Sequence, residues 1–106
     1  MSMNTLEIYK ALANEIRLNI MEWLKEPEKH FPPQGLHLPD GSTWTGGVCV
    51  GSIQEKAGIS QSTVSHYLDI LQRAGLLKAE RIGKWTYYQR NEETIREFGE
   101  YVKSNL

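Results

Sequence analysis

The chain has a single cysteine, Cys49, and one thiol cannot close a disulfide within its own chain. That suits a reducing compartment, and the cytoplasm is the expected location. Long apolar runs are missing as well, so no membrane span is expected. The opening residues MSMNTLEIYK lack the apolar core of a signal peptide. Neither sign of charge dominates: 12 Lys and Arg meet 13 Asp and Glu, for a net charge of −1, so the overall balance points to no polyanion. Paired carboxylates and a spaced Cys-His-Asn set are absent. The stretch GGVCVG, Gly46 to Gly51, has the glycines of a phosphate loop but not its Lys-Ser/Thr ending. No enzyme activity and no cofactor are expected.

What is present is ordinary globular material, 40% hydrophobic with three tryptophans in 106 residues. This length suits one domain over residues 1–106 with one modest core. Charge is unevenly distributed. Between Ser60 and Arg90 the basic residues Arg73, Lys78, Arg81, Lys84 and Arg90 outnumber Asp69 and Glu80, so the remainder is acidic. A basic segment on an acidic body is the pattern of a face that meets a polyanion.

Periodicity predicts a first helix from about Thr5 to Leu12 and a second opening at an Asn14 cap. The second carries Ile16, Ile20 and Leu24 on one stripe, with Trp23 beside it, and Pro27 ends it. Ser52-Ile-Gln-Glu55 has the form of a capping box opening a short third helix, which Gly58 closes. Ser60 then caps QSTVSHYLDILQRAG. Here Val64, Leu68 and Leu71 form the apolar face, and Ser62, Ser65, His66, Asp69 and Arg73 the polar one. Tyr67 is read as a packing residue.

The run LLKAERI-GK-WTYYQR reads as a β-hairpin with a Gly-first, type II′ turn at Gly83-Lys84. Its Tyr87 and Tyr88, on opposite faces, are expected to divide between core and surface. Asn91 caps a last helix with the stripe Ile95, Phe98, Val102 and Leu106. Residues 27–47 hold all four prolines and two of the three histidines and read as an irregular insertion.

Two short helices around a Gly-Ile-Ser turn, followed by a basic hairpin, make a helix-turn-helix with a wing. The expected fold is mainly α with a small antiparallel sheet. A helix fits the major groove of double-stranded DNA, and residues near its start reach base edges. The candidate DNA-binding residues are Ser60, Gln61, Ser62, Thr63, Ser65, His66 and Arg73 on the helix, with Arg81 and Lys84 at the hairpin tip for phosphate or minor-groove contact. Thr63 doubles as a capping residue.

ALANEIRLNIMEWL, SIQEKAGISQSTVSHYLDILQRAGLL and ERIGKWTYYQRN together resemble the ArsR/SmtB family of winged-helix transcriptional repressors, over nearly all of the chain outside residues 27–47. The resemblance implies a homodimer built from the terminal helices, bound to an inverted-repeat operator and released by an effector. Leu6, Tyr9, Ile95, Phe98 and Val102 give those helices the apolar stripes that such an interface needs. In metal-sensing members a Cys-Val-Cys pair opens the third helix. This chain reads Cys49-Val50-Gly51 there, and its last helix has no histidine, so both familiar metal sites are broken.

The expected effector is therefore not a thiolate-bound metal, and a small molecule shaped to the insertion is the alternative. His30, His37 and Cys49 are the remaining metal candidates should the insertion fold back, although soft metals demand a fuller donor set. Cys49 is otherwise read as a small apolar residue of a first strand, Val48–Val50. A redox role for its thiol and a protein-interaction module in place of a DNA reader stay open as competing readings.

Overall fold

A computed structural model describes residues 3–34 and 47–106. Helices α1 (Thr5–Leu12), α2 (Glu15–Lys25) and α3 (Pro27–His30) precede strand β1 (Val48–Cys49). Helices α4 (Val50–Ala57) and α5 (Gln61–Arg73), strands β2 (Leu77–Ile82) and β3 (Trp85–Arg90), and helix α6 (Glu92–Asn105) follow. The strands form one antiparallel sheet in the order β1-β3-β2.

Three helix starts lie where local chemistry put them. Asn14, Ser60 and Asn91 each accept a backbone N–H from the residue three positions on, in Arg17, Thr63 and Thr94. Such side chains satisfy donors that a helix start otherwise leaves orphaned. Ile8, Ile20, Ile53, Val64, Leu68 and Leu71 are fully buried where α1, α2, α4 and α5 converge, with Val48 of the sheet.

Three local expectations are corrected. Pro27 ends α2 but also opens the single turn of α3, because a first helical position needs no N–H. The irregular insertion therefore begins after His30, and its residues 35–46 lie outside the described ones. The capping box at Ser52 does not form, since α4 already starts at Val50 with Cys49 as its cap and no side-chain cap bond. The Ser52 hydroxyl instead lies 3.4 Å from Cys49 Sγ and 3.4 Å from Gln34 Nε2. The first strand is correspondingly shorter, Val48–Cys49, because its pairing with β3 passes directly into the helix.

Tyr88 lies half-buried against the main core, while Tyr87 on the other face of β3 is fully buried beside Cys49 and Ile82. Neither tyrosine is a surface residue, because the outer sheet face carries this small apolar cluster of its own. Among the described residues no helix is long and apolar enough to cross a membrane.

Candidate nucleic-acid interface

The turn between α4 and α5 is set by Gly58, whose left-handed backbone (φ 68°) closes α4 with its N–H on Gln54 O at 2.9 Å. Two residues later Ser60 caps α5. Its Oγ accepts from Thr63 N at 3.2 Å and donates to Thr63 Oγ1 at 2.9 Å, with Ser62 Oγ at 3.3 Å. Ser60 and Thr63 therefore spend hydroxyl capacity on ordering the helix start, and Thr63 is half-buried.

Burial of Val64, Leu68 and Leu71 fixes how α5 is rotated about its axis. That rotation leaves Gln61, Ser62, Ser65, His66, Asp69 and Arg73 exposed along one side. At the far end Arg73 Nε pairs with Asp69 at 2.9 Å, one turn apart, so its charge is locally balanced. Tyr67 packs rather than projects, under the guanidinium of Arg17.

The hairpin register pairs Ile82 with Trp85 and leaves Gly83-Lys84 as a two-residue turn. Gly83 has φ 64°, and no described non-glycine residue has a positive φ, so Lys84 excludes the I′ alternative and the turn is type II′ as expected. Arg81 and Lys84 are exposed at its tip, with Arg81 Nε donating to Gly83 O at 3.3 Å. Arg90, counted among the basic residues of this segment, has another role. Its guanidinium binds Glu92 at 2.8 and 3.2 Å and reaches Met21 O, tying β3 to α2 and α6.

Cys49 is buried and sits opposite Tyr87 across the β1–β3 pair. It lines a pocket of about 580 Å³ with His30, Phe31, Ser52, Glu55 and Lys56. His30 and Cys49 thus share one pocket, whereas His37 lies outside the described residues. Among the described residues no three His, Cys, Asp or Glu side chains are grouped to hold a metal.

The Tyr87 hydroxyl is buried without a hydrogen-bond partner among the described residues. Burial, and then the nearby Cys49, raises its pKa above the ordinary 10.0. Tyr87→Phe should accordingly keep or raise stability, by up to about 1 kcal/mol, since it removes a desolvated group that is unpaired among the described residues. The folded chain holds this phenolic proton more tightly than the unfolded chain, so Tyr87 leaves stability independent of pH below 10 and lowers it above, a loss the variant should lack. Urea melts of both proteins at neutral and alkaline pH check this, and a loss of 1 kcal/mol or more in the variant contradicts it.

On the terminal helices Leu6 and Tyr9 are 60% and 36% exposed. Tyr9 meets Phe98 edge-to-face, with ring centroids 5.2 Å apart, so α1 and α6 present their apolar residues together. Ile95, Phe98 and Val102 are half-buried, and Leu106 is 87% exposed.

A helix-turn-helix followed by a basic two-stranded wing defines the winged-helix class of DNA-binding proteins. The sequence pattern of "Bacterial regulatory protein, arsR family" matches residues 46–79. The chain is 50% identical to YbzH, an uncharacterized HTH-type transcriptional regulator of Bacillus subtilis, over 98% of this chain and 100% of the relative. It is 32% identical to the B. subtilis arsenical resistance operon repressor, over 82% of this chain and 66% of that protein.

Among solved structures it resembles the homodimeric winged helix-turn-helix DNA-binding domain of Mb0332 from Mycobacterium bovis, a possible ArsR-family regulator. The TM-score is 0.64 at 27% identity, with 93% of this chain and 75% of that one covered. The chain belongs to the ArsR family and is a DNA-binding transcriptional regulator.

Proposed function

We propose that the protein is a homodimeric repressor of the cytoplasm that reads an inverted-repeat operator with α5 and clamps it with the wing. One observation carries this reading. The side of α5 opposite Val64, Leu68 and Leu71 is exposed from its first residue and offers uncharged donors and acceptors at Gln61, Ser62 and Ser65. Gln61 stands at the first helical position, where a side chain in the major groove reaches a base edge. Ser60 and Thr63 order that start, His66 lies a turn further along, and Arg81 and Lys84 meet phosphates. Arg73, paired with Asp69, contributes least.

The effector on this reading is an organic molecule. One thiol offers no thiolate set, and the pocket beside His30, Phe31 and Cys49 has space for a small ligand.

The test is fluorescence anisotropy on the protein's own upstream DNA against a scrambled duplex. Gln61→Ala should weaken operator binding by roughly thirtyfold or more while leaving the scrambled duplex almost unaffected, the size of two lost base contacts, one from each protomer. Equal losses on both duplexes rule out direct readout by Gln61. Release of wild-type protein by zinc would instead favour a metal effector.

A further inference from the structure

The side chain of Arg17 joins three elements that the winged-helix motif treats separately. Its own backbone N–H is fixed by Asn14 Oδ1 at 3.0 Å, at the start of α2. Its Nε donates to Ala11 O at 2.7 Å and its Nη2 to Lys10 O at 3.3 Å, carbonyls in the last turn of α1. A cation there meets the negative end of the helix and supplies a donor to Ala11 O, while Lys10 O also accepts the N–H of Ala13 at 3.2 Å. The same guanidinium lies over the ring of Tyr67 in α5, with Cζ 5.0 Å from the ring centroid, within the range of a cation–π contact. Tyr67 sits between exposed His66 and buried Leu68, at the seam between the polar and apolar sides of α5.

We infer that Arg17 is a positioning residue for operator selection, holding α5 in a fixed relation to α1 through Tyr67. The inference rests on the reading that α5 enters the major groove and α1 carries part of the dimer face. Under that reading the dimer fixes the two copies of α1, and any slack between α1 and α5 moves both reading helices relative to one operator. Hydrogen bonds to base edges tolerate only a few tenths of an ångström, whereas phosphate attraction tolerates more. Loosening this joint should therefore cost sequence preference before it costs general affinity. Only arginine suits the position, because a planar fork can span two carbonyls and still stack on a ring.

The experiment measures operator and scrambled-duplex affinities at several salt concentrations for the full chain and for Arg17→Ala, Arg17→Lys, Tyr67→Leu and Tyr67→Phe. Arg17→Ala, Arg17→Lys and Tyr67→Leu should each lower the operator-over-scrambled ratio roughly fivefold, the fold-change of two such contacts of the weaker kind, one in each protomer, at an unchanged salt slope. Tyr67→Phe keeps the ring and should keep the ratio. The double variant Arg17→Ala/Tyr67→Leu should be no worse than the poorer single, since both break one joint.

A flatter salt slope for Arg17→Ala that Arg17→Lys restores, with the ratio intact, makes Arg17 a phosphate contact and overturns the inference. Additive losses in the double variant overturn it as well. If Arg17→Ala does not fold, Arg17→Lys and the Tyr67 pair still decide. Gln61→Ala separates the levels. If it loses operator preference while the Arg17 and Tyr67 variants retain it, only the positioning role fails. If wild-type protein shows no operator preference, the DNA reading itself fails.

Discussion

Glutamate at both Leu6 and Tyr9 should leave a folded monomer whose operator affinity is lower by at least about a hundredfold, the scale of avidity lost when two linked sites become one. Both side chains stand on α1 with substantial exposure, so a charge there meets water within one protomer and an apolar partner surface only in a dimer. Glutamate is a good helix former, and at Leu6 it lies in the first turn of α1, where the helix dipole favours it. The cost to the fold is confined to the Tyr9–Phe98 ring contact. Sedimentation velocity gives the mass and anisotropy the affinity. A variant that remains dimeric places the interface elsewhere, and a monomer with unchanged operator affinity removes the need for two half-sites.

The wing carries the second large effect. Arg81→Ala with Lys84→Ala should weaken binding to operator and scrambled DNA alike, by roughly a thousandfold at physiological salt in a dimer. Four phosphate contacts, two from each protomer, account for a slope of about 3.6 in log affinity against log salt concentration. The positions suit this role because the type II′ turn at Gly83 projects both cations into solvent, and the Arg81 bond to Gly83 O holds one of them at the tip. Phosphate contacts carry no base information, so the operator-over-scrambled ratio should stay nearly constant. A salt slope equal to wild type excludes both residues from the phosphate contacts. A selective loss on the operator would assign them to minor-groove readout instead.

These two results, with Gln61→Ala, divide the interface into parts of different physical kind. On the proposed reading, association supplies avidity, the wing sequence-independent attraction, and the start of α5 preference. Cys49 belongs to none of the three. It pairs across the sheet with Tyr87, and its sulfur lies 3.4 Å from the Ser52 hydroxyl. It is buried at the end of β1 and caps α4, a position that suits a packing residue.

The sequence by itself determined what is encoded within three or four residues. Caps at Asn14, Ser60 and Asn91, the apolar side of α5, the left-handed closure at Gly58, and the turn at Gly83 all depend on near neighbours, and all lie where local chemistry puts them. Once α5 is rotated by Val64, Leu68 and Leu71, the exposure of Gln61, Ser62, Ser65 and His66 follows from helical period alone.

The tertiary structure decided what depends on residues far apart in the chain. Pairing of β1 with β3 moved the start of α4 to Val50 and drew Cys49 and Tyr87 together on the outer sheet face. Packing turned Arg90 from a surface cation into a link among β3, α2 and α6. It also placed Arg17 against Tyr67, a contact with no local signal, because a basic residue near the start of an amphipathic helix ordinarily faces water. Short-range hydrogen bonds and periodicity are encoded by near neighbours in the chain, whereas these partners exist only once distant elements share a core.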